Sequence, residues 1–424
     1  MASQTFSNSN ASHFGRSHFV SRVLSILTIL AIAALTVSAV SASTTEIIYS
    51  FAGGNDGEYL DTDLVMDRAG NIYGTTVQGG TFGSGTVFQL SPSSTGWTHT
   101  VLYSFKGGID GGEPYKGVTL DAQGNLYGTA VTGGAGSCEG GCGVVFKLTN
   151  SGGTWTQSVI HSFTGGNDGS GPGSGLTFDR HGYLYGMTPT GGAYSLGVIY
   201  QLKPQANGTW GLNVIHAFTG GVDGSSGSAG RLILDRAGNL YGVTTVGGAN
   251  GKGVAFQLTR SQTGWTLVPL YAFKDQPDGA LPYGGLIFDR AGNLYGTTYY
   301  AGANDVGTVY KLTHANGSWT ETVLYNFKGG SDGSSPISTL VSDAAGNLYG
   351  TTSDGGTSCA CGVIFKLARW ANGSWTESVR YRFPGAPNAG FSYNGMVADS
   401  AGNFYGATTH GGPTNNGTIY KFKP

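Results

Sequence analysis

One phrase, Asp-x-x-Gly-Asn-Leu-Tyr-Gly, recurs with small variations seven times between Asp67 and Gly406. Its leading aspartates are Asp67, Asp121, Asp179, Asp235, Asp289, Asp343 and Asp399, spaced 54 to 58 residues apart. A period of that length, sustained along the chain, means stacked supersecondary units that bury their apolar faces only against one another. Composition narrows the kind of unit. Gly supplies 76 of 424 residues without a Gly-x-y triplet, which excludes collagen. A chain that is 39% hydrophobic and 12% aromatic has too much core material to be disordered. Gly-rich turns between short aromatic and branched runs mark many-stranded β structure. The net charge is −2 and no Lys/Arg cluster follows one face, so no nucleic-acid partner is expected.

The unit beginning at Gly117 shows the internal order. Val118–Leu120 is a short apolar run, and Asp121 to Asn125 is a turn in which Asp bonds the backbone and Gly supplies positive φ. Leu126–Thr129, Val144–Leu148 and Trp155–Phe163 complete four strands with no helical stripe between them. Four antiparallel strands repeated radially make a β-propeller blade. The third strand occurs seven times, ending at Leu90, Leu148, Leu202, Leu258, Leu312, Leu367 and Phe422. The Trp-led fourth strand occurs six times, from Trp97, Trp155, Trp210, Trp265, Trp319 and Trp375. The seventh copy is expected at the other end, where Glu46–Phe51 resembles Val101–Phe105 without the Trp half. Pairing Glu46–Phe51 with Thr418–Phe422 would close an all-β, seven-bladed propeller and remove its exposed edges.

Residues 1–42 are read separately. Arg16 and Arg22 precede an apolar run from Val23 to Val40, and small residues follow to Ala42. This predicts an export signal cleaved after Ala42, with a retained membrane anchor as the lesser alternative, leaving 43–424 as a single propeller domain without a membrane span of its own. Within that domain, connections between strands two and three share one rim with the connections between blades. The Asp-x-x-Gly-Asn turns share the other rim with the turns before each Trp. Binding is expected on the first, whose loops are longer and more varied.

The repeats resemble a known family. Gly124-Asn125-Leu126-Tyr127-Gly128-Thr129, Gly133-Gly134 and Gly143 to Leu148 are similar to the tandem GloVer (Gloeo-Verruco) repeat. Gly79-Gly80, Thr86 to Leu90 and Gly107 to Gly111 fit it as well, and the resemblance covers residues 46–424. It implies an exported bacterial protein with a propeller-like fold and assigns no chemistry. Some members end in a surface-sorting anchor. No apolar segment or basic tail precedes Pro424, and anchoring by that route is not expected.

Several residue sets are candidates for chemistry. The seven turn aspartates are explained by bonding to their own turns. A second set, Asp56, Asp110, Asp168, Asp223, Asp278 and Asp332, sits in the blade-to-blade connections, with Asn388 in the last. Six carboxylates on the binding rim suggest Ca²⁺ or sugar contacts. Asp-Gly is also an ordinary turn pair, and calcium wants six to eight oxygens; the turn reading leads, and no cofactor is expected. Cys138 with Cys142, and Cys359 with Cys361, are expected to form local disulfides, since export permits them and blades two and six are not neighbours.

Ser151 to Trp155 and Asn207-Gly-Thr-Trp210 look somewhat like sialidase Asp-box turns, but the Asp is missing, so they support geometry rather than that chemistry. Arg231 alone among the arginines starts an inner strand near the binding rim. Glycoside cleavage needs two flanking carboxylates, and Glu58, Asp61, Asp63 and Glu113 are the best acidic group for it. Phe82, Tyr194, Tyr299 and Tyr300 in the variable loops are the candidate ligand-binding residues, with Tyr115, Tyr283 and Tyr393 just before inner strands, and packing between blades is an equal reading of these rings. The expected function is an exported, monomeric, non-enzymatic binding or scaffold module for glycan or another cell-surface polymer. It would reside in the periplasm, outside the cell or on its surface. The alternative is an extracellular polysaccharide-active enzyme.

Overall fold

A computed structural model describes residues 43–227, 230–262 and 264–424. The expected export signal, residues 1–42, lies outside them. Ser43–Pro424 is one compact unit. Among the described residues, seven sheets each contain the four antiparallel strands of a propeller blade. Blade 2 is typical, with Val118–Leu120, Leu126–Ala130, Val144–Ser151 and Thr154–Ser162. The third runs on to Ser151, past the Leu148 read from sequence, and the fourth spans Thr154–Ser162 rather than Trp155–Phe163, because the polar turn tightens to a two-residue hairpin.

The seam is where the sequence places it. Thr44–Ser50 pairs with Thr418–Lys423, Thr44 opposite Lys423 and Ser50 opposite Thr418. That sheet continues through Phe404–Thr408 to Val397–Ala398, so one blade is assembled from both ends of the domain.

Two side-chain rules hold the ring. Within each blade, the Gly of Leu-Tyr-Gly pairs across strands with an aromatic residue, as Gly74 does with Phe88 and Gly186 with Tyr200. A Cβ on Gly74 would lie 2.6 Å from the Phe88 ring. Glycine is therefore required by the ring lying over it, not by its dihedral angles. Between blades, the Phe ending each fourth strand packs edge-on against the third-strand aromatic of the next blade. Phe105 meets Phe146 at 5.0 Å, Phe163 meets Tyr200 at 5.2 Å, and Phe383 meets Tyr420 at 5.4 Å. Phe51, from the N-terminal strand, makes the same contact with Phe88 at 5.1 Å. Each such pair contributes roughly 0.5–1.5 kcal/mol beyond its burial.

The core is accordingly divided. Buried clusters lie between neighbouring blades, for example Tyr73 and Val87 of blade 1 with Leu126 and Phe146 of blade 2. The same arrangement joins blade 7 to blade 1, where Tyr405 and Ile419 pack with Ile72 and Phe88.

Candidate functional site

The turn aspartates are structural. Asp67 Oδ1 accepts the backbone N–H groups of Ala69 and Asn71, and Oδ2 accepts Asn71 Nδ2 and the Tyr73 hydroxyl. The same four bonds recur at Asp121, Asp235, Asp289, Asp343 and Asp399. At Asp179, Tyr183 replaces the asparagine, and His181 Nδ1 approaches to 3.5 Å instead. Burial pushes the Asp289 carboxyl up, but the bonds from Asn293, Tyr295 and Ala291 outweigh it and hold it below the usual range.

The connection aspartates have a second shared role. Each takes a hydrogen bond from the side chain seven residues earlier and from the backbone N–H four residues earlier. Tyr49 bonds Asp56 at 2.7 Å, Tyr103 bonds Asp110 at 2.7 Å, and Tyr325 bonds Asp332 at 2.8 Å. Tyr271 bonds Asp278 in the same way. His161 and His216 replace tyrosine at Asp168 and Asp223, at 3.2 and 2.9 Å. The backbone donors include Ala52, Lys106, Thr219 and Lys328. These loops are thus clamped by internal bonds. Among the described residues, no group of three His, Cys, Asp or Glu side chains is placed to hold a metal ion.

Beyond each clamp stands a residue on the fourth strand of the next blade, and its identity varies. His99 bonds Asp56 at 3.0 Å, and Gln157 Nε2 bonds the Asp110 carbonyl at 3.0 Å. Leu212 and Leu267 occupy the place after the histidine clamps. Glu321 and Glu377 occupy it after Tyr271–Asp278 and Tyr325–Asp332. Burial and the nearby Asp278 push the Glu321 carboxyl up to about 7, against the pull of Lys274. Glu377 is raised by burial and by Asp332. Sequence reading missed this layer, although a constant seven-residue spacing from Tyr or His to Asp signals it.

Both cysteine pairs are closed, Cys138 to Cys142 and Cys359 to Cys361, with Cα separations of 5.1 and 5.3 Å. Each sits against a loop glycine of the following connection. A Cβ on Gly165 would press on both sulfurs of the first pair, and one on Gly385 on both of the second.

Three of the four acidic candidates, Asp61, Asp63 and Glu113, act electrostatically on Tyr115 or Lys116. Glu58 lies in the seam connection, its backbone bridged to Gln78. Asp61 and Asp63 reach the mouth of the central channel. Lys116 Nζ lies 2.8 Å from Asp61 Oδ1 and 3.1 Å from Asn394 Oδ1, joining blades 1, 2 and 7. Asp63 Oδ1 accepts the Gly395 N–H at 3.2 Å. Glu113 and Asp61 both act electrostatically on Tyr115, whose hydroxyl is raised first by burial.

Aromatic residues gather at the same mouth. Tyr283 and Tyr299 meet edge to face at 5.5 Å. Tyr393 is raised by burial and then by Asp354, Asp61 and Tyr299 around it. Further out on this rim, Tyr300 is 49% exposed, Phe82 55% and Tyr194 60%. Tyr299 is half-buried, since its ring leans on Tyr283.

The family profile described as Gloeobacter/Verrucomicrobia repeat matches residues 34–234 and 228–424. No curated protein matches the chain. Among solved structures, a protein from Lactobacillus plantarum is 15% identical with a TM-score of 0.53, covering 82% of this chain and 90% of that one. The NanB sialidase from Streptococcus pneumoniae is 10% identical with a TM-score of 0.44, covering 89% of this chain and 70% of that one. At these identities the first likeness concerns the fold alone, and the second carries nothing about chemistry.

Proposed function

The chain belongs to the Gloeobacter/Verrucomicrobia repeat family, and from that premise we propose that it is an exported, non-enzymatic binding or scaffold module whose loop rim takes a glycan or another cell-surface polymer. The observation that carries this reading is the aromatic and polar cluster at the channel mouth. Tyr283, Tyr299 and Tyr393 offer ring surface beside the Lys116–Asp61 pair and Asn394. Sugar rings pack on aromatic faces, and adjacent fixed donors and acceptors orient their hydroxyls. Phe82, Tyr194 and Tyr300 place further exposed rings on blades 1, 3 and 5. A polymer spanning them would gain by avidity from modest individual contacts.

Export by residues 1–42 fits the two disulfides, which persist in oxidising compartments. The protein would then act as a monomer in the periplasm, outside the cell or on its surface. No helix among the described residues is long and apolar enough to cross a membrane.

A polysaccharide array with the purified protein, run with calcium and with a chelator, tests the proposal. Binding should appear in both conditions and disappear when Tyr194, Tyr299 and Tyr300 are replaced together by alanine. Binding that survives the triple replacement would move the site off this rim. Binding to no polymer would leave a scaffold, and released sugars would point to the enzyme, with Asp61 and Asp63 the first residues to substitute.

A further inference from the structure

Four residues ahead of each turn aspartate, the inner strands place one residue each at the waist of the central channel. The seven are Asp63, Gly117, Gly175, Arg231, Gly285, Thr339 and Gly395. They touch around the ring. Gly285 N–H donates to Thr339 Oγ1 at 3.0 Å and Gly395 N–H to Asp63 Oδ1 at 3.2 Å. A Cβ on Gly117 would strike the Asp63 carbonyl, and one on Gly395 would lie 3.1 Å from the Thr339 carbonyl.

Arg231 is the one long side chain at this level, and it leans into the room left by a missing side chain on the neighbouring blade. A Cβ on Gly175 would lie 3.0 Å from Arg231 Nε and 3.5 Å from an Nη atom. Among the described residues its guanidinium makes no hydrogen bond or ion pair. Asp63 acts on it only at longer range, and one oxygen of Asp63 is committed to Gly395. Lys116, the other cation of the channel, is already held by Asp61 and Asn394 on the mouth side.

Below the waist, toward the turn rim, the channel widens into a chamber of about 330 Å³. Arg231 and Asp63 line its upper end, and Met66, Ile233, Leu286 and Met396 are among the apolar residues of its wall. A fork of planar donors without an acceptor among the described residues, above an apolar wall, matches a carboxylate with a hydrocarbon body. We propose that this chamber binds a small aliphatic carboxylate, with Arg231 as its anchor. The site lies on the far side of the waist from the glycan rim and does not depend on that reading.

Titration calorimetry of the purified protein with hexanoate, and with hexanamide as the neutral isostere, tests it. Hexanoate should bind saturably and hexanamide at least about tenfold more weakly, because a guanidinium rewards the charge. Arg231→Gln should weaken hexanoate about tenfold or more while leaving the melting temperature in place. Arg231→Lys should lose less, since it keeps the charge but not the fork. Replacing Tyr299 and Tyr300 by alanine should leave hexanoate binding unchanged. No saturable binding at millimolar hexanoate would overturn the proposal, and so would equal binding by wild type and Arg231→Gln.

Discussion

The two rims of the ring each carry a series of aspartates, and the two series are built differently. On the turn rim every aspartate closes its network within six residues, from Asp67 to Tyr73 and from Asp399 to Tyr405. On the loop rim the clamp is also local, but the residue facing it comes from the next blade. Tyrosine clamps meet His99, Gln157, Glu321 or Glu377, while the histidine clamps at Asp168 and Asp223 are followed by Leu212 and Leu267. A network closed within one turn can be copied unchanged, because it asks nothing of its neighbours. A network that crosses a junction can vary, provided both sides vary together.

Both rims hang on a closed ring, so opening the ring should erase the difference between them. Removal of residues 43–52 takes away the outer strand of blade 7 and the Phe51 contact with Phe88. The loss should be several kcal/mol, enough to threaten a domain of ordinary stability. Urea unfolding with and without the segment measures it, and unchanged midpoints would contradict the seam.

Within the intact ring, alanine at Asp67, Asp235 or Asp289 should cost about 2–3 kcal/mol each, since every one strands the same four donors. The near-equality of the three losses is the sharper test. Costs on the loop rim should be unequal, with Asp223→Ala expensive and Asp278→Ala partly offset by relief of the Glu321 carboxyl beside it. A uniform loop rim would end the distinction.

Acid and alkali should separate the junction types. The folded carboxyl of Glu321 titrates near 7, above its ordinary 4.5. Its contribution is therefore fully present below 4.5 and lost as pH rises from there to 7. Glu377 acts in the same direction. Partial solvent access screens each to roughly 1 kcal/mol. His161 is depressed, first by burial, against the pull of Asp168. Its junction weakens in the opposite sense, as pH falls below 6.5. Glu321→Gln with Glu377→Gln should raise the urea midpoint at pH 8 and leave it unchanged near pH 4; no gain at pH 8 would refute the assignment.

The smallest effect is expected from the disulfides. They span separations of only four and two residues, so Cys138→Ser with Cys142→Ser should shift the midpoint little. A loss above about 2 kcal/mol would show that the sulfur packing on Gly165 matters more than chain closure.

Much of the frame was legible in the chain. The repeat gave the blade count, and the misplaced fourth strand at Glu46–Phe51 gave the seam. The clamps were only half legible. The connection aspartates stood out, but their partners Tyr271 or His216 read as ordinary strand residues. The facing Glu321 and Glu377 were missed, although each stands two residues after the Trp of its strand, because each lies more than forty residues along the chain from the clamp it meets. Arg231 was noticed as an arginine out of place. That it lacks a partner among the described residues could come only from seeing six smaller residues around it.

The seam also sets a timetable. Thr414 Oγ1 donates to the Phe51 carbonyl across 363 residues, and Thr409 to the Leu60 carbonyl across 349. Synthesis delivers the first of these partners long before the last. Until the final blade emerges, blade 1 has no neighbour on one side, and Phe51, Leu60 and Ile72 of its junction face water. Long-range closure of this kind is slow and leaves apolar surface exposed while it waits. For the export proposed above, that delay would be an advantage, because a ring that cannot lock before its last strand arrives is still loose enough to be threaded.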